Sequence, residues 1–501
     1  MNIQTQFQKA RERSCPLIAI NTPDNAATIN WIQTKEENPN AMIITWDGAQ
    51  GFNVLNSMDL QRLFELTETQ SLSDLSNMTK DPGSALNYLN RLPDSSIAIF
   101  LNLHKYFNSP EIVQAIWNLR DEFKSNFRTL VMLSQDIIFP AEVSNDVIIF
   151  DEELPKDEDI VNIANSLYET AGYPSLDEQT QKKVINTVHG LPSNFAIEQY
   201  IAMSLNSTGI NFKTLGAYKR KTIEKTFGLS MWEGKETFDD LGGQKQIKLF
   251  LHQLFSGPKP PKCIVRIEEI EKILSGSNTQ QGDSSGISQD AMAVTLTELE
   301  DQEYIGIILV GPAGSGKSLL SKCISTEFKV PGITLDYGGL KNSLVGESQQ
   351  RVRAAMRVIR SVADRGGAFW VATCNQHESL TPELKRRFSF GFWYCGLPDE
   401  DEKIKIWEIQ RKKYNISDLE DQPDDYRLTG ADIRNICEIS YRLHISLIEA
   451  RNYIVPISIS DPGSINRMEE SAHNRFLSSS YPGPFLKQIE TKTLKRSLSK
   501  V

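Results

Sequence analysis

The sequence predicts an α/β protein of two tandem modules, each a parallel three-layer sheet domain followed by a small helical domain. The first observation is a series of continuous apolar runs between residues 16 and 150, separated by helix-like stretches. Continuous rather than alternating apolar strands are typical of a parallel sheet covered by helices on both faces. The second observation is the return of this pattern between residues 263 and 397. Two copies of one architecture are therefore the simplest interpretation.

In the first module, the predicted strands are the apolar runs 16–20, 41–46, 96–101, 128–133 and 146–150. Amphipathic segments such as IVNIANSLYETA and NFAIEQYIAMSL follow them. Their apolar residues recur at the helical period, which predicts packed helices. We therefore expect an α/β domain over residues 1–155 and a helical lid with a linker over residues 156–232.

In the second module, the predicted strands are the runs 263–267, 304–310, 332–337, 368–373 and 390–397. We expect an α/β domain over residues 233–400, a helical lid over residues 401–460 and a C-terminal tail over residues 461–501. The segment SGSNTQQGDSSG, residues 275–286, is rich in glycine and serine and predicts a mobile loop within the sheet domain.

Composition limits the classes of function. The chain of 501 residues has a formal net charge of −10, which argues against a surface coated with basic groups for duplex nucleic acid. Its six cysteines are scattered, so neither a zinc knuckle nor a disulfide framework is predicted. Without a long apolar run, no membrane association is expected. We expect a soluble protein of the cytoplasm or of an equivalent reducing compartment, such as a plastid stroma.

A phosphate-binding loop is the strongest motif. The pattern GxxxxGK[ST] follows the apolar run YIGIILV and precedes the helix-like LLSKCISTEF. In this context backbone N–H groups and a helix N-terminus converge on the phosphates of ATP. Lys317 is expected to neutralise the β- and γ-phosphates, and Ser318 to bind Mg²⁺. The predicted nucleotide contacts are Gly311, Pro312, Ala313, Gly314, Ser315, Gly316, Lys317, Ser318 and Leu319.

Nucleotide hydrolysis also needs an acidic pair at the end of a neighbouring strand. No such pair lies downstream of the phosphate loop before residue 368, but CIVRIEEIEK, residues 263–272, has the expected form. We interpret Glu268 as the carboxylate toward Mg²⁺ and Glu269 as the catalytic base. The alternative is that this segment starts a surface helix and the site does not hydrolyse nucleotide.

These residues are part of a wider resemblance to the AAA family of ATPases, and within it to the uncharacterised Ycf-type AAA proteins of cyanobacteria and plastids. FDDLGGQKQIKLFL resembles the family's lead-in segment, and LVGESQQRVRAA its second-strand loop and helix. VATCN is similar to the sensor strand, TPELKRRF to the arginine-finger segment and TGADIRNI to the lid motif. The resemblance covers most of the chain.

The resemblance implies a P-loop NTPase module in which strands lie in the order 5-1-4-3-2. Here the third, acidic (Walker B) strand precedes the Walker A loop in the chain, so the module is expected to be permuted. The two changed helix crossovers keep their direction and can stay right-handed. The active site can thus be rebuilt from a reordered chain.

The resemblance also implies the remaining roles. Asn375 is expected to be the sensor that holds the attacking water or the γ-phosphate. Arg386 and Arg387 are expected to reach the nucleotide of a neighbouring subunit, with Arg387 favoured because it precedes the phenylalanine. Such an arginine implies a homo-oligomeric ring, often a hexamer. Leu344 stands where threading AAA proteins carry an aromatic residue, so polypeptide threading is not expected.

The first module is expected to be a degenerate AAA-like domain. NTPDNAAT, residues 21–28, lacks the Gly-Lys pair, and Asn102 stands at the acid position. The leading hypothesis for the whole chain is Mg²⁺-dependent ATP hydrolysis that remodels a protein or protein–nucleic acid partner. The alternative is a nucleotide-gated scaffold that binds ATP with little or no hydrolysis.

Overall fold

The structure is a computed structural model. It describes residues 3–36, 38, 41–54, 57–135, 137–152, 154–274, 285–337, 347–363, 367–376, 380 and 382–487. The chain divides into two compact units. Unit 1 comprises Met1–Asn186 and Leu191–Ile210, and unit 2 comprises Thr187–Gly190 and Asn211–Val501.

Unit 1 contains strands that alternate with helices, followed by a helical part. Its strands are β1 (Leu17–Asn21), β2 (Ile43–Asp47), β3 (Gly51–Val54), β4 (Ile97–Leu101), β5 (Thr129–Ser134), β6 (Ile148–Asp151), β7 (Leu205–Asn206) and β8 (Gly209–Ile210). Its helices are α1 (Ile3–Glu12), α2 (Asn25–Lys35), α3 (Ser57–Thr67), α4 (Leu72–Thr79), α5 (Pro82–Tyr88), α6 (Pro110–Ser125), α7 (Ala141–Ser144), α8 (Asp157–Thr170), α9 (Glu178–Val188) and α10 (Asn194–Ser204).

The six-stranded sheet of unit 1 has the order β3-β2-β4-β5-β1-β6. All its neighbouring strands are parallel except β2 and β3, which form an antiparallel pair. Strands β1, β4 and β5 are buried along nearly their whole length. Their continuous apolar runs are explained by this burial, because helices cover both faces of a parallel sheet.

Unit 2 repeats the alternation with a larger sheet. Its strands are β9 (Leu229–Met231), β10 (Cys263–Ile267), β11 (Ile305–Val310), β12 (Gly332–Leu335), β13 (Ala368–Cys374), β14 (Phe392–Tyr394) and β15 (Leu477–Ser478). Its helices are α11 (Phe212–Glu224), α12 (Lys245–Phe255), α13 (Ile270–Leu274), α14 (Ser285–Asp301), α15 (Lys317–Glu327), α16 (Glu347–Ala363), α17 (Pro382–Arg387), α18 (Glu400–Tyr414), α19 (Gly430–Leu443), α20 (Leu447–Arg451), α21 (Ile457–Ser460) and α22 (Pro462–Ala472).

The seven-stranded sheet of unit 2 has the order β15-β14-β11-β13-β10-β12-β9. Only β9 runs antiparallel to its neighbour. Strand β10 lies between β13 and β12, although it precedes β11 in the chain. In unit 1 the equivalent place between β5 and β2 is filled by β4, the third of the five parallel strands. The two sheets therefore share a spatial order but differ in chain order.

The ends of unit 2 differ from the predicted division of the chain. Leu229–Met231, expected in the first linker, pairs with β12 and forms the edge of the second sheet. Residues 461–487, expected in a tail, include α22 and β15, which pairs with β14. The strands β9 and β15 are too short or too polar to be recognised in the sequence. They form because the sheet edge that each joins supplies the hydrogen bonds. The tail beyond residue 487 lies outside the described residues.

Two helices that border the cavity described below begin at side-chain caps. Asp399 accepts a hydrogen bond from the N–H of Glu402 at 2.9 Å, at the start of α18. Thr429 accepts one from the N–H of Asp432 at 3.2 Å, at the start of α19. In both, the carboxylate of the acid three residues on accepts a hydrogen bond from the N–H of the capping residue. Such capping boxes fix where these helices start. None of the described helices is both long and apolar enough to cross a membrane.

Lys219 on α11 is buried and contributes a pH-dependent cost to stability. Burial lowers the pKa of its ammonium from 10.5 to about 8. The unfolded state therefore binds this proton more tightly, so the cost is fully present below pH 8 and disappears as the pH rises toward 10.5. We expect Lys219→Met to raise the free energy of unfolding at pH 7 by about 3 kcal/mol.

This expectation is measured by urea denaturation at pH 7 and pH 10. The stability gain of Lys219→Met over the wild type should be large at pH 7 and small at pH 10. Lys213→Met, on the exposed side of the same helix, is the control and should change neither value. A gain that is equal at both pH values would contradict the assignment to the buried charge.

Candidate functional site

The loop between β11 and α15 depends on its glycines. Gly314 and Gly316 have φ values of +83° and +89°, a left-handed conformation in which a side chain is strained. A Cβ atom on Gly311 would collide with the carbonyl oxygen of Cys395. The loop ends at Gly316, directly before the first turn of α15. Its backbone N–H groups and the positive end of α15 are therefore available to an anion.

Lys317 is the first residue of α15 and is only 5% exposed. Its Nζ donates hydrogen bonds to the carbonyl oxygens of Gly311 at 2.8 Å and Pro312 at 2.7 Å. Burial is the main cause that lowers the pKa of this ammonium, and Cys395 and the carboxylates of Glu271 and Glu269 oppose the shift. A phosphate group is a stronger acceptor than a carbonyl for such a buried cation.

A cavity of about 360 Å³ opens beside this loop. Seven of the nine predicted nucleotide contacts line it, namely Ala313, Gly314, Ser315, Gly316, Lys317, Ser318 and Leu319. Gly311 and Pro312 instead lie behind the cavity lining and accept the hydrogen bonds of Lys317. The volume is typical of small-molecule sites.

The acidic pair after β10 lies at the same cavity. Glu268 and Glu269 both line it, with Glu268 exposed and the side chain of Glu269 43% exposed. Glu269 has a φ of +55°, unusual for a residue other than glycine, and its N–H donates to Thr373 Oγ1 at 3.0 Å. Its carboxylate forms an ion pair with Lys272. The bond to Thr373 joins the end of β10 to β13.

A third acid, Glu271, was not singled out from the sequence. Its side chain is buried, at 5% exposed, and its Oε1 accepts the N–H of Asn375 at 3.1 Å. Asn375 follows β13 and lines the cavity. Glu271 thus holds the predicted sensor residue next to the acidic pair. Its position three residues after Glu268, on the first turn of α13, is the signal that could have identified it.

The rest of the lining comes from segments to which the sequence analysis assigned no contact residues. These residues are Asp240, Leu241, Gly242, Gln244, Gly396, Pro398, Glu402, Ile406, Gln410, Gly430, Ala431, Arg434, Ser479 and Ser480. The lead-in and lid motifs contain seven of these fourteen residues. The residues between 396 and 410, and Ser479 and Ser480 after β15, have no such signal. The cavity therefore has walls from four parts of unit 2 in addition to the phosphate loop, the acidic strand and Asn375.

The two arginines predicted to act across a subunit boundary lie away from this cavity. Arg386 and Arg387 are on α17, and neither is among the described residues that line the cavity. Arg387 forms an ion pair with Glu300 on α14, whereas Arg386 is exposed. Their role in another subunit stays a prediction. Leu344 lies outside the described residues.

In unit 1, the corresponding sheet edge is occupied by the chain's own polar groups. Glu152 follows β6 and accepts hydrogen bonds from the hydroxyl groups of Thr22, in the loop between β1 and α2, and Thr28, in the first turns of α2. Asn21 at the end of β1 donates to Asp151 at 2.8 Å. A carboxylate at this loop is unfavourable for a phosphate, because like charges repel. The inactive state of the first module stays a prediction.

Two family models match the chain. The model of the SpoVK-like AAA ATPase N-terminal domain matches residues 4–152, and the model of the ATPase family associated with various cellular activities (AAA) matches residues 307–366. An uncharacterised AAA domain-containing protein, ycf46, from Guillardia theta is 22% identical, with 94% of this chain and 95% of the relative covered. The protein of the same name from Gracilaria tenuistipitata var. liui is 23% identical, with 79% and 86% covered.

The chain is thus similar to AAA ATPases in two separate segments, residues 4–152 and 307–366. The cell division cycle protein 48 homolog of Archaeoglobus fulgidus extends the likeness, with 24% identity over 26% of this chain and 24% of its own. The AAA match begins at residue 307, so it includes the phosphate loop but not β10. The family model therefore does not extend to Glu268 and Glu269, whose role as the acidic pair stays a prediction.

Proposed function

We propose that this AAA relative binds and hydrolyses Mg-ATP, and that hydrolysis remodels a protein or protein–nucleic acid partner. One observation carries the proposal: Lys317, Ser318, Glu268, Glu269 and Asn375 come from three separate segments and line one cavity. Phosphoryl transfer needs cations and hydroxyls for the phosphates, a carboxylate for the divalent ion and a base for the attacking water.

The side chains suit Mg²⁺ together with a nucleotide. Mg²⁺ in proteins is usually held by one or two side chains, phosphate oxygens and water. Ser318 supplies a hydroxyl and Glu268 a carboxylate at the same cavity. Across the described ranges, no group of three His, Cys, Asp or Glu side chains is placed to hold a metal. The ion is therefore expected to bind with the nucleotide's phosphates.

Each residue then has a defined task. With nucleotide bound, Lys317 would exchange its carbonyl partners for the β- and γ-phosphates, and Ser318 and Glu268 would hold the ion. Mg²⁺, when bound, draws charge from the phosphate oxygens. Glu269 accepts a proton from the attacking water, and Asn375, held by Glu271, orients that water or the γ-phosphate.

A nucleotide-gated scaffold is the second candidate. The observation in its favour is the ion pair between Glu269 and Lys272, which holds the proposed base in an interaction that catalysis must break. Glu268 stands in place of the customary aspartate, which also favours the scaffold. In a scaffold, ATP would control assembly with little or no turnover.

Phosphate release from Mg-ATP by the purified protein separates the two functions. An ATPase releases phosphate steadily and loses this activity in Glu269→Gln. Equal rates in the wild type and Glu269→Gln would leave the scaffold standing. Calorimetry on the same samples measures ATP binding and so reports nucleotide capture independently of turnover.

We further propose a homo-oligomeric ring, such as a hexamer, in which an arginine reaches the nucleotide of the next subunit. Because Arg387 is paired with Glu300, the exposed Arg386 is the better candidate for that contact. We expect Arg386→Ala to lower kcat by at least about 100-fold, as for other arginines acting in trans. Arg387→Ala should mainly weaken the attachment of α14, by at most about 1 kcal/mol.

Mixing subunits measures this prediction. Arg386→Ala subunits retain a complete cavity, and Lys317→Ala subunits retain the arginine, so mixed rings should recover part of the ATPase activity that each lacks alone. Absence of recovery, or a larger loss of kcat in Arg387→Ala, would contradict the assignment.

A further inference from the structure

Glu402 is a buried carboxylate at the border of the cavity. It lies in the first turn of α18 and is 6% exposed. Its Oε1 accepts the N–H of Gln244 at 2.7 Å and the hydroxyl of Ser480 at 2.8 Å, and its Oε2 accepts the N–H of Asp399 at 3.3 Å. A buried carboxylate is stable only when such donors surround it.

These three donors come from three segments of unit 2. Gln244 precedes α12, Asp399 caps α18, and Ser480 follows β15. Gln244, Ser480 and Glu402 all line the cavity. One carboxylate therefore joins the lead-in segment, the first helix of the lid and the C-terminal segment at the edge of the proposed nucleotide site.

The lead-in segment reaches Glu402 because two glycines allow it. A Cβ atom on Gly243, whose φ is +80°, would lie 2.6 Å from the carboxylate carbon of Glu402. A Cβ atom on Gly242 would collide with the side chain of Ile406, one turn further along α18. The close approach of this segment to α18 thus requires glycine at both positions.

The C-terminal segment, residues 474–487, is attached at several further points. The carbonyl oxygen of Ser479 accepts the N–H groups of Gln246 and Ile247 at 3.0 and 3.1 Å, in the first turn of α12. These are helix N–H groups without partners inside the helix. The ring of Phe485 lies 4.2 Å from that of Tyr394 on β14. The segment is thereby held as a wall of the cavity.

We propose that Glu402 is a positioning residue that holds the C-terminal segment in place as a wall of the nucleotide cavity, and that nucleotide binding stabilises this docked position. The inference rests on the proposed nucleotide binding. A ligand that contacts walls from all three segments favours the state in which they are together. By reciprocity, loss of the Glu402 contacts weakens the nucleotide.

Glu402→Gln tests this role with a minimal change of shape. An amide has one acceptor oxygen, so its NH₂ group must face either the Gln244 and Ser480 donors or the Asp399 donor. We expect an affinity for ADP about tenfold lower than in the wild type, measured by calorimetry. We also expect faster amide hydrogen exchange in residues 474–487 without nucleotide. ADP should slow this exchange in the wild type at least about threefold and much less in the variant.

Two further variants make the test specific. Glu400→Gln changes a carboxylate in the same turn of α18 that is 82% exposed and pairs with Lys403, and it should behave as the wild type. Ser480→Ala removes one hydroxyl and should speed exchange in residues 474–487 while the fold is retained, which covers the case in which Glu402→Gln does not fold.

The outcomes separate this inference from the proposed function. If the wild type does not bind ADP, the proposed function fails. Faster exchange of residues 474–487 in Glu402→Gln and Ser480→Ala would then still support the attachment of the wall. If ADP binds Glu402→Gln as tightly as the wild type and slows its exchange equally, the positioning role is overturned although nucleotide binding stands.

Discussion

Glu269→Gln is expected to bind Mg-ATP with nearly wild-type affinity and to release phosphate at least about 100-fold more slowly, the usual scale of a lost general base. Glu269 lines the cavity beside Lys317 and Ser318, and its main chain is fixed by Thr373. An amide has nearly the same shape but cannot accept the proton of the attacking water. The contacts that hold the phosphates do not involve Glu269, so binding should persist.

Single-turnover phosphate release and calorimetry with ATP measure the two halves of this expectation. Glu408→Gln, an exposed carboxylate on α18, is the matched control and should match the wild type in both. If Glu269→Gln loses affinity and turnover together, Glu269 acts in binding or folding and not as the base. Unchanged turnover would favour the scaffold.

Lys317→Ala is expected to lose ATP affinity by about 100-fold, because a charge-assisted hydrogen bond to phosphate contributes up to about 3 kcal/mol. The Lys317 ammonium is buried at the phosphate loop, where burial lowers its pKa, and its acceptors without ligand are neutral carbonyl groups. Anionic phosphate oxygens would stabilise this cation. The fold should be retained, since the substitution also removes a buried charge.

Calorimetric titration with ATP measures the loss, and thermal unfolding monitors the fold. Lys322→Ala is the control: this lysine lies on the same helix, with its ammonium over the ring of Trp232 at 4.7 Å. It should bind ATP as the wild type does. Equal affinity in Lys317→Ala and the wild type would refute the cavity as the ATP site.

The parallel α/β architecture could be predicted because burial dictates the residue pattern. The run predicted at residues 263–267 coincides with β10, and YIGIILV contains β11. Both strands are covered on two faces, so nearly every position must be apolar. The glycine-rich loop between β11 and α15 could be predicted equally well, because its glycines meet steric demands that are local to the loop.

The contacts around Glu402 could not be predicted in this way. Gln244 and Ser480 are separated from Glu402 by 158 and 78 positions in the chain, and neither pairing leaves a periodic pattern. From the sequence, Asp399 and Glu402 indicate a helix start and nothing more. The ion pairs of Glu269 with Lys272 and of Arg387 with Glu300 likewise depend on side-chain placement. The contacts of Glu402 and the Arg387–Glu300 pair arise only once distant segments have packed.

The chain order of the second sheet has a consequence for synthesis. Strand β10 leaves the ribosome before β12 and β13, the two strands between which it lies, whereas β4 in unit 1 emerges when its neighbour β2 is already present. Both hydrogen-bonding edges of β10 therefore wait for partners that are still to be translated. During that interval Arg266, the fourth of the five residues of an otherwise apolar strand, places a charge where an unpaired edge is most prone to join another nascent chain.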